Sequence, residues 1–432
     1  MDSLGIALLG CGTVGRGVTQ LLLNQADRLA ARAGRSLVLR KILLRNPAKY
    51  TSYPPRELVT SDYASILADP SIEVVAELIG GTTDAKEYVL AALAAGKHVV
   101  TANKALLAEH GTAIFRAAEK AGRVVAFEAS VAGGVPIIAA IGQSLAANQI
   151  LSIQGILNGT SNFILTAMAD RNQTYVDALA EAQALGYAEA DPTLDVDGSD
   201  AAHKLAVLVR LGFGIELSVS QINRRGIDQI HSMDLRFAQE LGYTIKLLAE
   251  AWLTERQVAL HVSPVLLRQT SMLAQVRGAF NAIQVVGDVV GETLYQGPGA
   301  GMMATASAVV ADLIDVAIGR AQRTFPHLRI WSATSGDFRV RDPLTVRSRF
   351  YLRLMVADRP GVLADITRLL AEQQISISSV IQHEAIDESG EGTVPLVIMT
   401  HSAQAGAFAS AVERINRLAG VSSPGVSYTV AD

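Results

Sequence analysis

A single cysteine, Cys11, is all that this chain of 432 residues contains. No internal disulfide can form, which fits a reducing, cytoplasmic setting. Cysteines and histidines spaced to hold zinc are also lacking. Charge of one sign is not in excess. A formal net charge of −4 excludes the basic balance of a nucleic-acid binder and offers no attraction to an anionic membrane surface. Charge or glycine breaks every apolar run before about 18 residues, so nothing reads as a membrane span. The N-terminus enters a strand within a few residues and has no basic region, apolar stretch and cleavage site in series. What these absences leave is a soluble globular protein, 50% hydrophobic, long enough for about two to four domains.

Residues 5–9 read as a short buried strand that runs into Gly10-Cys11-Gly12-Thr13-Val14-Gly15, then into a helix carrying Val18, Leu21, Leu22 and Leu23. Strand, G-x-G-x-x-G turn and helix in that order predict a dinucleotide site. Gly10 permits the tight turn, Gly12 admits a pyrophosphate against the backbone, and Gly15 allows close helix–strand packing. The free N–H groups of the helix start receive the phosphates. Further buried strands follow at residues 37–44, 72–80, 98–102 and 124–128. Strands alternating with helices over about 140 residues predict a Rossmann-like, doubly wound parallel α/β sheet.

The second strand ends at Arg45-Asn46-Pro47-Ala48-Lys49, where an acid would suit the ribose of NAD. Arg45 and Lys49 either hold a 2′-phosphate, which favours NADP, or are simply solvated. Gly80 closes the third strand. Lys104 follows the fourth, at the end of a parallel sheet where ligands bind.

From Ile150 the pattern changes. Residues 150–156 read as a strand, and Asn158-Gly159-Thr160-Ser161-Asn162 heads an apolar helix at 163–168. Such small polar residues cap helices or bind anions and amides. Gly297-Pro298-Gly299-Ala300-Gly301 opens a helix at 302–318, again with bare amides, and Gly301 joins the candidate cofactor set. Residues 321–348 read as a linker.

The tail, 349–432, orders its elements β-α-β-β-α-β, a ferredoxin-like arrangement. None of its polar residues forms an acid–base set. Between strand and helix, Asp358-Arg359-Pro360-Gly361-Val362-Leu363 makes a sharp turn, and free N–H groups there suit an amino-acid carboxylate.

The most chemical stretch is GYAEADPTLDVDGSDAAHK, residues 186–204. Asp200 and Lys204 stand four apart in a helix-forming run and project from one face. Ser199 suits the helix start. Such a pair is usually a solvated surface contact worth about 0.3–0.5 kcal/mol. Leu205, Val207, Leu208, Val209 and Leu211, however, send this helix into a core. A carboxylate and an ammonium at its mouth suit a small zwitterion.

IALLGCGTVGRGV, TANK at 101–104, GILNGTSNFIL, GYAEADPTLDVDGSDAAHKLA and GPGAGMMATASAVVADL together resemble a bacterial homoserine dehydrogenase, and DRPGVLADI resembles an ACT domain. With no kinase segment before it, the chain looks like the monofunctional form. The resemblance implies a Rossmann-like domain at 1–135, its sheet closed by part of 300–330. An α+β catalytic and dimerisation domain follows at 136–320, a linker at 321–348 and an ACT regulatory domain at 349–432. It implies interconversion of L-aspartate 4-semialdehyde and L-homoserine with NADP or NAD, on the route to threonine, methionine and isoleucine.

By position it makes Lys204 the proton donor and Asp200 the group that binds substrate and fixes Lys204. Lys104 lies near the nicotinamide. Glu189, with the backbone near Tyr187, takes the substrate ammonium, and Asp195 shapes the pocket. A sodium ion is implied at Glu128 and the carbonyls of Val131, Gly133 and Val135, all oxygen ligands that suit a hard cation. The tail is expected to sense L-threonine in a homodimer or homotetramer. Two other readings stay open: another amino-acid dehydrogenase of similar architecture, or an inactive NADP- and amino-acid-binding sensor.

Overall fold

The computed structural model describes residues 3–49, 53–328, 338–383 and 392–431. Contacts divide the chain into two compact units. The first holds 1–159, 199–222 and 279–339; the second holds 160–198, 223–278 and 340–432.

In the first unit, β1 (Ser3–Leu9), β2 (Ser36–Leu43), β3 (Val59–Thr60), β4 (Val74–Glu77), β5 (His98–Thr101) and β6 (Val125–Ala126) form one sheet in the order β3-β2-β1-β4-β5-β6. Every pairing is parallel. The strands are apolar on both faces because helices cover both, as the doubly wound expectation requires. Gly5 sits where a Cβ would lie 1.7 Å from the Ser71 carbonyl oxygen, so only glycine lets β1 pass. The helix α1 (Thr13–Asn24) packs against the late helix Met302–Ala317: a Cβ on Gly17 would meet the Ala306 Cβ at 2.9 Å. Ala306, Val309, Leu313 and Val316 accordingly share a core with Ile6, Leu8 and Val18.

The same unit carries the antiparallel strands Ile150–Ile156, Phe280–Gly287 and Gly291–Pro298. The helix Ser199–Phe213 lies close to the first of them, with Gly212 against Ile153. Within the stretch read as a linker, residues up to 328 belong to the helix Arg320–Leu328, and a 3-10 turn forms at Pro343–Thr345. Residues 329–337 lie outside the described residues. No single described helix is long and apolar enough to cross a membrane.

The second unit is built on the hairpin Tyr243–Thr254 and Gln257–Arg268, paired antiparallel along its length. The tail follows the expected order through Arg347–Ala357, Val362–Glu372, Ile377–Gln382, Thr393–Thr400, Ala405–Ile415 and Val421–Ala431. Phe350, Leu352, Ile366, Leu370, Ile398 and Phe408 form its core. It does not stand alone. Its last strand runs parallel beside Gln257–Arg268, with Val265 opposite Thr429, so hairpin and tail share one sheet.

Candidate active site

The residues expected to carry the chemistry assemble in the first unit. Gly198, at φ +84, turns the chain into the helix Ser199–Phe213. Leu205, Val207, Leu208 and Val209 on that helix are buried, and they carry its first turn inward. Asp200 and Lys204 are each only 8% exposed, so the pair is not a solvated surface contact. Lys204 Nζ donates to Asp200 Oδ2 and to the Leu157 carbonyl, both at 2.7 Å. The other carboxylate oxygen, Oδ1, meets Lys104 Nζ at 2.8 Å. Lys104 is the first residue of the helix Lys104–Ala121, which Asn103 caps by accepting the Leu106 N–H.

One carboxylate therefore bridges two lysines. Burial alone would raise the Asp200 pKa, but Lys204 and Lys104 overcome this and hold it well below the usual carboxylate range. Asp200 stays charged at any working pH. The two lysines differ in access: the Lys104 side chain is 38% exposed and that of Lys204 10%. The arrangement holds an ammonium proton at a buried Nζ, backed by a permanent negative charge and joined to a second, wetter ammonium.

Asn158 completes the cluster, donating from Nδ2 to Asp200 Oδ2 at 2.9 Å. Asn281 donates to the same Leu157 carbonyl that Lys204 uses. The polar run 158–162 thus divides its labour, since Thr160 and Ser161 serve the second unit. There Thr160 Oγ1 donates to the Tyr187 carbonyl at 2.6 Å and Ser161 Oγ to the Asp195 carbonyl at 2.8 Å. The two hydroxyls pin both ends of the loop that carries the expected substrate residues. Asn162 is tied in turn to Lys246, whose Nζ reaches its Oδ1 at 2.9 Å. On the loop, Tyr187 and Glu189 are exposed and Asp195 is half-buried. The Tyr187 ring lies 5.0 Å from that of Phe163.

At the dinucleotide turn, Gly10 has φ +96, and a Cβ on Gly15 would lie 2.5 Å from the Gly10 carbonyl oxygen. Around Gly12 nothing lies within 4 Å of such a Cβ, which leaves room for a pyrophosphate. Thr13 and Val14 open α1, where no side chain caps the helix and no acid occupies the first turn. Its bare amides fit a nicotinamide dinucleotide. Gly80 (φ +72) and Gly301 (φ +121) are two further turn glycines of this unit with open space around them. Arg45 is 89% exposed, and it pairs with Asp84 at 2.6 Å. The side chain of Lys49 lies outside the described residues.

Glu128 is buried, and its two oxygens accept the N–H groups of Ile138 and Ala139 at 2.9 and 2.8 Å. Burial pushes its pKa up to about 6. Nearby, Val135 N–H donates to Ala132, and the Val135 carbonyl accepts from Ile137. Among the described residues no group of three histidine, cysteine or acidic side chains could hold a metal. An ion at Glu128 therefore needs backbone carbonyls, and those of Val131, Gly133 and Val135 are of the right chemistry for sodium.

A family profile described as homoserine dehydrogenase matches residues 136–314. Its NAD binding domain matches 10–128, and an ACT domain matches 350–420. The homoserine dehydrogenase of Pseudomonas aeruginosa is 45% identical over 435 aligned positions, covering 100% of this chain and 99% of that protein. The chain belongs to the homoserine dehydrogenase family. A crystal structure of the Thiobacillus denitrificans homoserine dehydrogenase superposes with a TM-score of 0.93 at 43% identity, covering 100% of this chain and 99% of that one. A hyperthermophilic archaeal homoserine dehydrogenase in complex with NADPH covers 73% of this chain and 97% of its own, at 25% identity and a TM-score of 0.61.

Set in this family, the chain is an oxidoreductase with a nicotinamide-dinucleotide domain, a catalytic region and an ACT region. Sequence reading marked Lys104, Asp200 and Lys204, and the structure brings these three together. It missed Asn158 as a partner of Asp200. The only signal was a polar run at a helix start, and the contact spans 42 positions. Asp84 was missed for the same reason, lying 39 positions from Arg45.

Proposed function

We propose that this enzyme interconverts L-aspartate 4-semialdehyde and L-homoserine with NADP as the preferred dinucleotide. The observation that carries the reading is the carboxylate of Asp200 bridging Lys104 and Lys204. Bound in its reduced form, the dinucleotide supplies a hydride to the aldehyde carbon. The carbonyl oxygen then takes up negative charge, and Lys204 delivers a proton to it from Nζ. Asp200 orients that ammonium and hydrogen-bonds the substrate. Lys104, the more exposed lysine, shares the same carboxylate, which stays ionised, and assists the return of a proton to Lys204 from solvent. In the oxidative direction the same groups act in reverse, with a neutral Lys204 as base.

Glu189 and the backbone near Tyr187 receive the substrate ammonium, and Asp195 shapes the pocket. Gly10, Gly12, Thr13, Val14, Gly15, Gly80 and Gly301 line the dinucleotide, with Arg45 on the 2′-phosphate. For that contact Arg45 must leave Asp84. Sodium at Glu128 would offset a buried negative charge. L-threonine is the proposed effector, in an open cavity of about 390 Å3 lined by residues 356–363 with Gln382 and Leu396. Gly361, at φ +95, starts the helix Val362–Glu372 on its wall. The enzyme is proposed to be a cytoplasmic homodimer or homotetramer on the route to threonine, methionine and isoleucine.

Absorbance at the NADPH band tests this with purified protein and L-homoserine. Turnover with a lower KM for NADP than for NAD, depressed by L-threonine, is the expected result. Absence of turnover with both dinucleotides would overturn the reaction. Turnover without any threonine effect would overturn only the effector.

A further inference from the structure

Another buried carboxylate in the first unit has no role in the chemistry above. Glu77 is the last residue of β4 and is 0% exposed. Among the described residues it forms no ion pair, which would leave a buried charge costly unless hydrogen bonds satisfy it. Four donors converge on it. Oε1 accepts the N–H groups of Ile79 and Gly80 at 3.0 and 3.2 Å and, at 3.5 Å, Asn103 Nδ2. Oε2 accepts the Thr101 hydroxyl at 2.6 Å.

These donors come from two chain exits. Glu77 and Thr101 face each other across β4 and β5. The turn leaving β4 runs through Gly80 and Gly81, both at φ +72. The turn leaving β5 is Ala102-Asn103, whose next residue is Lys104. Cross-links tighten the link: Asn103 Nδ2 also donates to the Gly81 carbonyl at 2.7 Å, and Asn103 N–H donates to Thr101 Oγ1 at 3.0 Å. The shortest bond of the set is that of the Thr101 hydroxyl to Glu77 Oε2, at 2.6 Å. A carboxylate with four donors and no cation fixes their positions more firmly than any one pair would.

We propose that Glu77 is a positioning residue for the reaction: it locks the exits of β4 and β5 together and so holds Lys104 in register with Asp200. The proposal rests on Lys104 belonging to the reacting cluster. Glu77 touches neither Lys104 nor Asp200; it acts through Thr101 and Asn103. Displacing a reacting group by about 1 Å can cost about a hundredfold in rate, and the start of the Lys104–Ala121 helix has no other side-chain cap than Asn103.

The test is a double-mutant cycle in the full-length enzyme with E77Q and K104A, read as kcat, KM for homoserine, NADPH dissociation constant and melting temperature. In E77Q one acceptor oxygen becomes a donor, so the Thr101 hydroxyl loses its acceptor. The expected result is a loss of about tenfold or more in kcat. In the K104A background, E77Q should then cost less than about threefold further. T101V removes the same link from the other side and should repeat the pattern should E77Q fail to fold. An E77Q enzyme that melts earlier yet keeps kcat within about twofold would overturn the proposal by making Glu77 purely structural. So would losses that multiply fully in the double variant. If K104A alone leaves kcat unchanged, the reading of Lys104 fails first and the proposal falls with it.

Discussion

Asp200 and Asp234 are both buried carboxylates held by cations, yet they are built for opposite ends. Asp200 in the first unit meets two lysines, one of them partly open to solvent. Asp234 in the second unit is 0% exposed. It takes a two-pronged contact from Arg353, Nε to Oδ1 at 2.6 Å and Nη2 to Oδ2 at 3.0 Å, plus the Tyr351 hydroxyl at 3.1 Å. A lysine can give up its proton within the working range; an arginine cannot. Burial would lower the Arg353 pKa, but its bonds to Asp234 raise it instead. Burial also drives the Tyr351 hydroxyl far above its ordinary range, assisted by the Asp234 charge. Nothing in that second cluster can shuttle a proton. It clamps the tail to the helix Ser232–Glu240, whereas the first cluster keeps its protons transferable.

The largest effect that separates the two is catalytic. Asp200→Asn keeps the shape but removes the charge that orients Lys204, and kcat should fall about 10²–10⁴-fold. It also leaves Lys204 buried without its counter-charge, so stability falls as well. Asp234→Asn should spare the chemistry. It leaves Arg353 buried without its counter-charge, at a cost of about 3 kcal/mol or more in stability, while kcat at low temperature stays within about threefold. Denaturant titration beside steady-state kinetics checks both, and a similar profile for the two variants would dissolve the distinction. Truncation before Arg349 removes Arg353 and Tyr351 together and strips Gln257–Arg268 of its parallel neighbour. The expected product is a poorly folded chain, not an active enzyme freed from its effector, as solubility and circular dichroism would reveal.

This contrast also tracks what a sequence can disclose. Asp200 and Lys204 were legible because a helix brings positions four apart onto one face. The clamp at Asp234 joins residues 119 positions apart, and no local pattern announces it. The strands β1 and β2 and the strand Ile150–Ile156 were legible as apolar runs beside glycine turns. The hairpin at 243–268 was not. Its first strand is buried almost throughout, so the alternation that marks a half-exposed strand is missing. Glu77 looked like part of a hydrophobic strand, since its partners at 101 and 103 become neighbours only once the sheet forms.

A smaller effect concerns Arg45. Removing it should raise KM for NADP about tenfold, with little change for NAD. Asp84→Asn, which frees Arg45 from its present partner, should lower KM for NADP. Equal changes for both dinucleotides would place the 2′-phosphate elsewhere.

The smallest effect is a pH dependence of stability. The Glu128 pKa is raised from 4.5 to about 6 in the folded chain, so the native state holds the proton more tightly than the unfolded one. Its favourable contribution is full below pH 4.5 and is lost as pH rises through about 6, a change of about 2 kcal/mol. Sodium at this site would recover part of that loss. Melting at pH 8 should therefore be higher in sodium chloride than in choline chloride, and Glu128→Gln should erase the difference.

The most direct test of the account is Lys204→Ala, measured by kcat and by NADPH affinity on the same preparation. Lys204 sits on Asp200 and the Leu157 carbonyl. The account predicts a kcat lower by about a hundredfold or more, with the NADPH dissociation constant within about threefold of the parent. A variant that keeps at least half of the parent's kcat would contradict it.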